Sequence, residues 1–420
     1  MTIPPVLLDL SRLVSRAGNR TPTGMDRIEL AYAEHLLARL GPRLGFVAMN
    51  PAGDIARVSD RYARLLVDTL GRCWRDAEQT GRTARRIGML THVSGLVPGK
   101  ALRPRGAPRD GHGDGHKYER PVFLSLSHQN LHHGARFAQF KARSGARFVF
   151  YVHDLIPIDY PEYVRPGHDA RHAERMATVA TLADGVIVNS QATADSLAPS
   201  LKRAGRDVPV LVAFPGAEFA QGPPVQPRLG PPTFVVLGTV EPRKNHLLLL
   251  NVWRRLADDA SPPDPIPRPT PRLIIVGRRG WENENAVDMI ERCTAIRPFV
   301  EEHGSMPDSL LRPTLAGARA LLCPTFAEGY GMPVAEALAQ GVPVLCSDIP
   351  AHHEAGGMAP EFLDPLDGLG WLQAIRDYAG PDSPRRAAQL TRIKDWRAPD
   401  WGTHFDAVAA LLERIAARPA

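Results

Sequence analysis

A segment in the second half of the sequence combines a glycine-containing turn with two neighbouring cations. In GTVEPRKN, at 238–245, Gly238 and Thr239 follow an apolar strand and would let the backbone approach a ligand. Arg243 and Lys244 come next, at the expected start of a helix, where the helix dipole disfavours cations unless an anion joins them. A diphosphate fits, since arginine offers a two-pronged donor and lysine a point charge. A solvated helix start is the alternative.

A second segment, FAEGYGMPVAEA at 326–337, carries two carboxylates eight residues apart. Glu328 lies in a glycine-rich turn, and Glu336 is expected in the first turn of the following helix. Carboxylates accept hydrogen bonds, so they suit the hydroxyl groups of a sugar or a ribose. For Glu336 alone, stabilisation by the helix N-terminus is the alternative.

The first half contributes three further candidates, each at the end of an expected strand or the start of a helix. His153 ends a buried strand and could bond the donor sugar or the acceptor, or could be structural and bonded to Asp154 or to backbone. Gly24, in TPTGM, could present free N–H groups to a phosphate or an acceptor. Ser190 could be a helix N-cap or a ligand-contacting residue.

Histidines suggest a metal site only weakly. His128, His132 and His133 have no acidic or cysteine partner at ligand spacing, and the sequence has no Asp-x-Asp motif. We therefore expect neither a metal ion nor a cofactor. The turn after Leu273–Gly277, with two arginines beyond it, fits base binding and plain packing equally well.

Apolar strands, turns and helices alternate along the chain, which predicts an α/β fold with parallel sheets. The first-half strands are continuously apolar, as buried parallel strands are. The best early helix is expected over Gly24–Leu40. The candidate strands are Val6–Val14, Leu44–Asn50, Val122–Ser127, Phe148–His153, Val186–Ser190 and Val208–Phe214, then Phe234–Leu237, Leu273–Val276, Leu321–Pro324 and Val342–Cys346.

Composition shifts divide the chain. A segment rich in proline and glycine from residue 215 predicts a linker, which separates a first domain, 1–214, from a second, 215–395. Within the first domain, 71–120 is expected to be a loop-like insertion. A C-terminal helix within 396–420 is expected to cross back onto the first domain.

The charge pattern limits the partners. The net charge is +6, and only six of the 51 basic residues are lysines. This excess suits phosphate-bearing ligands but is too dispersed to predict nucleic-acid binding. The basic 71–120 segment fits a solvated loop, or contact with an anionic acceptor or a membrane surface.

The four cysteines show no disulfide or CxxC spacing, which favours a reducing compartment. We find neither a signal-peptide pattern nor an apolar run long enough to span a bilayer. These features predict a cytoplasmic protein, and peripheral contact with the inner face of the plasma membrane stays open.

The block 233–357, with GTVEPRKN and the Glu328/Glu336 pair, resembles the C-terminal half of family-4 retaining glycosyltransferases. TPTGMDRIELAYAEHL and YVHDLIPIDYPEY more loosely resemble a bacterial subgroup of mannosyltransferases that assemble surface polysaccharide. The resemblance implies the GT-B fold, in which two Rossmann-like domains face a central cleft.

Roles for individual residues are implied by this resemblance. Arg243 and Lys244 would bind the donor diphosphate and stabilise the leaving group. Glu328 would hold sugar hydroxyls, and His153 would touch the donor sugar. The other implied donor contacts are Glu336 to the ribose, the backbone of Gly329, Tyr330, Gly331 and Met332 to the sugar and phosphates, and Gly24 near the diphosphate.

The resemblance further implies transfer of a hexose to a glycan or lipid-linked glycan, with GDP-mannose as the first choice of donor. UDP-sugars, and a nucleotide-sugar-binding protein without transfer activity, are the alternatives. An epimerase or a phosphorylase of the same architecture is a rival, although a phosphorylase would need a pyridoxal lysine.

Overall fold

The computed structural model describes residues 3–19, 21–75, 96–97, 120–217, 230–259 and 269–418. These residues form two compact units, each built on its own sheet. The first unit comprises Met1–Asp159, Pro166–Pro215 and Trp401–Ala420, and the second comprises Tyr160–Arg165 and Gly216–Asp400. This division differs from the one expected from the sequence at 160–165, at 215 and at 396–400.

The first unit contains a mainly parallel sheet. Its strands are β1 Val6–Asp9, β2 Leu44–Met49, β3 Ile55–Val58, β4 Leu96–Val97, β5 Val122–Ser125, β6 Arg147–Val152, β7 Gly185–Val188 and β8 Val210–Val212. They lie in the order β4-β3-β2-β1-β5-β6-β7-β8. Only β3 runs antiparallel to its neighbours within this sheet. The strands β1, β5, β6 and β7 are almost entirely buried, which explains their continuously apolar sequences.

The helices described in the first unit ahead of the C-terminal one are α1 Ser11–Arg16, α2 Gly24–Leu40, α3 Asp60–Arg75, α4 Gly134–Ser144, α5 Ile156–Asp159, α6 His168–Leu182 and α7 Gln191–Arg203, with a 3-10 turn at Gly41–Arg43. A second 3-10 turn, Pro161–Tyr163, lies in the short segment Tyr160–Arg165 of the second unit. Helix α2 begins where its sequence predicts, because Thr23 and Asp26 form a reciprocal capping box.

The second unit has a six-stranded, wholly parallel sheet. Its strands are β9 Thr233–Leu237, β10 Arg272–Val276, β11 Val300–His303, β12 Ala320–Cys323, β13 Val344–Ser347 and β14 Glu361–Leu363. The order is β11-β10-β9-β12-β13-β14. The chain therefore reverses its winding direction between β9 and β12, and ligands of such sheets bind at the carboxyl ends of the strands at that point.

Helices cover both faces of the second sheet, and two apolar clusters fill the space between them. The helices are α8 His246–Asp259, α9 Glu284–Arg292, α10 Asp308–Ala316, α11 Met332–Ala339, α12 Pro350–Gly356, α13 Gly368–Ala379 and α14 Pro384–Asp395, with a 3-10 turn at Pro242–Lys244.

The C-terminal helix α15, Trp401–Ala416, belongs to the first unit and packs on β5 to β8. His404 anchors it, because its Nε2 lies 2.7 Å from the Tyr32 hydroxyl and its Nδ1 lies 2.9 Å from the Phe214 carbonyl oxygen. Phe405 stacks on His35 with ring centroids 3.8 Å apart.

Two expectations about the first unit are wrong in detail. The first strand ends at Asp9, and Ser11–Arg16 forms a helix where the sequence suggested strand as far as Val14. Helix α3 continues to Arg75, with Cys73 and Trp74 buried, so the expected insertion 71–120 begins inside a packed helix. Apart from β4 and Arg120, the rest of that insertion lies outside the described residues.

Within the described ranges, no helix is both long enough and apolar enough to cross a membrane.

Candidate active site

A pocket lies at the carboxyl ends of β9 and β12, where the winding of the second sheet reverses. Lys244 and Glu328 line it, together with Cys323 at the end of β12, Gly331 before α11, and His352 from α12. The two segments singled out in the sequence therefore meet at one place in the second unit.

The turn that carries the cations is shaped by Asn245. Arg243 and Lys244 lie in the 3-10 turn Pro242–Lys244, and Asn245 then adopts a left-handed conformation with φ 56° before α8 begins. The Asn245 side-chain amide donates to the carbonyl oxygens of Pro324, at 3.1 Å, and Pro365, at 3.0 Å. These bonds fix the turn against the ends of β12 and β14. The cations thus precede the helix rather than opening it.

Arg243 is held by three acceptors. Its guanidinium donates to Glu241 Oε1 at 2.8 Å and to the Ala327 carbonyl oxygen at 2.5 Å, and it lies 3.0 Å from Glu328 Oε2. The Lys244 ammonium is ion-paired with Glu328 Oε1. One carboxylate therefore bridges both cations.

The cluster is shielded from solvent, because the side chains of Arg243, Lys244 and Glu328 are only 14 to 16% exposed. Burial alone would raise the pKa of Glu328, but Lys244 and Arg243 outweigh burial and hold this pKa at about 2. Glu328 is therefore ionised at neutral pH.

This pairing revises one step of the sequence argument. We expected two neighbouring cations to need an external anion, but Glu328 and Glu241 provide two negative charges in direct contact with them. The positions of the cations are therefore explained without a bound diphosphate. A diphosphate would have to compete with, or share, these protein carboxylates.

The glycine-rich segment turns sharply into α11. Gly331 has φ 98°, a conformation that disfavours side chains, and a Cβ there would lie 2.9 Å from Cδ2 of His352. Met332 begins α11 and Glu336 lies in its second turn, so the expected first-turn position of Glu336 is wrong. Glu336 is 6% exposed. Burial raises the pKa of the nearby Cys323 thiol, Lys244 opposes this rise, and the charges of Glu328 and Glu336 add to it.

Four further predicted donor contacts, Gly238, Thr239, Gly329 and Tyr330, lie within two residues along the chain of residues that line this pocket. Gly238 and Thr239 follow β9, and a Cβ on Gly238 would lie 3.2 Å from Cε of Lys244. Gly329 precedes Tyr330, which is buried. The turn after β10 shows close packing, because a Cβ on Gly277 would lie 1.8 Å from the Gly238 carbonyl oxygen.

Three predicted site residues lie in the first unit. His153 follows β6, is 2% exposed and pairs through Nε2 with the Leu126 carbonyl oxygen at 2.7 Å. Burial lowers its pKa to about 4, so it is neutral at pH 7. Ser190 is fully buried and caps α7 by accepting from the Thr193 N–H at 3.0 Å. Gly24 is exposed and is the first residue of α2.

Sequence reasoning missed three residues of the second unit that shape the pocket: Glu241, Asn245 and His352. The first two stand inside GTVEPRKN beside the chosen cations, and the signal for them was an acid and an asparagine flanking a basic pair. His352 lies in SDIPAHHEAGG, where two adjacent histidines open a short helix. Only the fold shows which of the two faces the pocket.

No group of three or more metal-ligating side chains comes together within the described residues. His128 instead accepts from the His153 backbone N–H at 3.1 Å.

Comparison with known sequences finds a family match within the second unit. Residues 231–377 match the family "Glycosyl transferases group 1". The chain is 37% identical over 169 residues to O-antigen chain mannosyltransferase B of Escherichia coli, over 39% of this chain and 41% of that protein. It is 25% identical over 228 residues to the serotype-specific mannosyltransferase WbdA of Escherichia coli, over 50% of this chain and 27% of that protein. The chain thus matches less than half the length of these relatives.

Solved structures share the fold across both units. Anabaena HepE in complex with UDP-glucose aligns with a TM-score of 0.60 at 14% identity, over 98% of each chain. Sucrose-phosphate synthase of Thermosynechococcus elongatus aligns with a TM-score of 0.59 at 14% identity, over 98% of this chain and 99% of that one. The α/β fold class expected from the sequence is confirmed: residues 231–377 match the group 1 glycosyl transferases, and the solved structures share the fold.

Proposed function

We propose that the protein is a metal-independent, retaining glycosyltransferase that moves a hexose from a nucleotide-diphosphate sugar to a glycan or lipid-linked glycan in polysaccharide assembly. The observation that carries the proposal is the pocket at the switch point of the second sheet, where Arg243, Lys244 and Glu328 converge. Cations suit the diphosphate and a carboxylate suits sugar hydroxyls.

In this proposal the two cations stabilise the leaving group. As the bond between the anomeric carbon and the diphosphate oxygen breaks, negative charge grows on the diphosphate and positive charge on the sugar. Fixed cations in a shielded site stabilise that charge without reorganisation. Arg243 meets this requirement because Glu241 and the Ala327 carbonyl oxygen already hold its guanidinium. No metal ion is then needed to neutralise the diphosphate.

Retention of configuration follows if the acceptor attacks from the face that the diphosphate leaves. The acceptor oxygen forms its bond to the anomeric carbon, and its proton passes to the departing phosphate oxygen. The protein then needs no dedicated base, and the low pKa of Glu328 agrees with this, because an ionised group with pKa about 2 is a poor base. Glu328 binds and orients.

The remaining predicted residues keep the roles that the family resemblance implies. His153 would touch the donor sugar, Glu336 would bond the ribose, and Gly24 and Ser190 would contribute donor contacts. Residues 1–214 would bind the acceptor. Ser190 already caps α7, so its expected contact requires the hydroxyl to serve the ligand as well.

The names of the relatives favour GDP-mannose as donor, because both Escherichia coli proteins are mannosyltransferases. HepE was solved with UDP-glucose, which makes UDP-sugars the second candidates. Cysteine usage favours a cytoplasmic location, with acceptors presented at the inner face of the plasma membrane.

Calorimetry with purified protein tests the proposal. GDP-mannose and UDP-glucose are titrated in the presence of a chelator, and transfer is then assayed with lipid-linked and free glycan acceptors. Binding followed by acceptor-dependent release of nucleoside diphosphate supports it, and the anomeric configuration of the product reports on retention. If a nucleotide sugar binds but no acceptor causes release of nucleoside diphosphate, the result would favour a non-catalytic binding protein. No affinity for any nucleotide sugar would refute the function.

A further inference from the structure

His352 is buried at the pocket. Neither the sequence analysis nor the proposed chemistry assigns it a role. It lies in α12, is 1% exposed, and lines the pocket together with Lys244, Glu328 and Gly331. A buried imidazole beside an ion cluster needs an account of both ring nitrogens.

The hydrogen bond to one nitrogen fixes the tautomer. Nδ1 lies 2.9 Å from the Ser347 carbonyl oxygen, which can only accept, so Nδ1 carries the proton. Burial lowers the pKa of His352 to about 4, although Glu328 opposes this shift, so the ring is neutral at pH 7. The remaining nitrogen, Nε2, therefore carries a lone pair.

Nε2 has no hydrogen-bond partner among the described residues. The nearby Lys244 ammonium is already paired with Glu328. The edge of the ring that carries Nε2 lies against Gly331, where a Cβ would stand 3.6 Å from Nε2 and 2.9 Å from Cδ2. A side chain at Gly331 would crowd this edge, and glycine leaves it open.

A lone pair in this pocket distinguishes the diphosphate of a nucleotide sugar from its sugar. The diphosphate of such a donor carries no protons at neutral pH and offers only acceptors, so it cannot bond a neutral Nε2. A sugar hydroxyl donates, and it can do so to Nε2 while a second hydroxyl donates to Glu328. The ring and the carboxylate thus form a pair of acceptors suited to a polyhydroxylated sugar.

We propose that His352 is a specificity-determining residue, whose Nε2 accepts a hydrogen bond from a hydroxyl of the transferred sugar. This inference rests on the proposed function and adds a second sugar-reading group beside Glu328. The adjacent His353 does not share this role, because its Nε2 lies 2.6 Å from Asp348 and its ring stacks on Phe362.

The test compares His352→Phe with the matched control His353→Phe. Loss of one buried acceptor should lower kcat/KM for GDP-mannose by about 10- to 100-fold. The affinity for free GDP should stay within about twofold of wild type, because a diphosphate gains nothing from a lone pair. His353→Phe should leave both quantities unchanged. UDP-glucose and UDP replace GDP-mannose and GDP if calorimetry shows that donor to bind.

A second variant guards against misfolding. His352→Gln offers an amide oxygen as acceptor and should recover part of the lost kcat/KM; if His352→Phe does not fold, the same comparison of kcat/KM with nucleoside-diphosphate affinity is made on His352→Ala. An equal loss for GDP-mannose and GDP would overturn the inference, as would unchanged kcat/KM in the folded variant. If the wild-type protein binds neither donor, the proposed function fails as well. If wild type transfers the sugar and one of these two contrary results is obtained, only the role of His352 fails.

Discussion

Replacing Lys244 by methionine tests the central electrostatic claim about the pocket. Methionine keeps an unbranched, flexible side chain and removes the charge. In the folded protein Glu328 would retain Arg243 as a partner at 3.0 Å, so the carboxylate is not left alone. We therefore expect the variant to fold, with a modest loss of stability from one missing ion pair.

The expected size of the catalytic effect follows from the charge and its surroundings. A unit charge about 4 Å from a phosphate oxygen contributes about 4 kcal/mol at an effective dielectric constant of about 20. Part of this is offset, because the Lys244 ammonium is already paired with Glu328 and that attraction weakens when a diphosphate shares the cation. A net loss of about 3 kcal/mol in transition-state stabilisation lowers kcat/KM by roughly two orders of magnitude.

The assay measures kcat/KM for the donor that calorimetry identifies, with thermal unfolding recorded for each protein. Lys141→Met is the matched control, because the Lys141 ammonium pairs with Asp184 at 2.7 Å in the first unit. It should cost stability without affecting transfer. A folded Lys244→Met protein that keeps more than about a third of wild-type kcat/KM would refute the electrostatic role of this lysine.

Three further outcomes are expected. Glu328→Gln should lower kcat/KM by about 10- to 100-fold while free GDP binds more tightly by calorimetry, since the anion that competes for the cations is gone; unchanged turnover would remove Glu328 from the site. Gly331→Ala should lower the free energy of unfolding by about 1 to 3 kcal/mol in urea, because of its φ of 98° and the contact with His352, whereas Gly304→Ala, with nothing within 4 Å, should not. The pKa of Glu328 falls from its ordinary 4.5 to about 2 on folding, so its stabilisation is complete above pH 4.5 and is lost as the pH falls toward 2. The difference in unfolding free energy between wild type and Glu328→Gln should shrink over that range, and a constant difference would contradict the pairing.

Much of the fold follows from patterns that are local in the sequence. Continuous apolar runs gave the buried parallel strands, and Thr23 with Asp26 fixed the start of α2. Strands β3 and β4 were missed because both are short, and β3, Ile55–Val58, is only partly buried, so neither has a strong apolar run. The start of the insertion was placed too early, at residue 71, because the charged residues around Trp74 concealed the buried last turn of α3.

The site was only partly predictable, since spacing along the chain does not report pairing in space. The sequence singled out Lys244 and Glu328, 84 residues apart, but did not show that they pair with each other. The left-handed turn at Asn245 and the bonds from its amide were equally hidden. Choosing between His352 and His353 required the orientation of a helix against a sheet, which packing decides.

The pairing of Glu328 with both cations has a consequence for how a donor binds. The charges of Arg243 and Lys244 are balanced by those of Glu241 and Glu328, so the net charge of the free cluster is zero and does not by itself attract an anion strongly. A bound diphosphate brings excess negative charge, and the carboxylate that it displaces from the cations becomes available to sugar hydroxyls. A nucleoside diphosphate without a sugar gains the first interaction but leaves that buried carboxylate poorly paired, at a cost of about 1 to 3 kcal/mol. In the proposed function, this arrangement would favour an intact nucleotide sugar over its product, and Glu328 would link leaving-group binding to sugar binding.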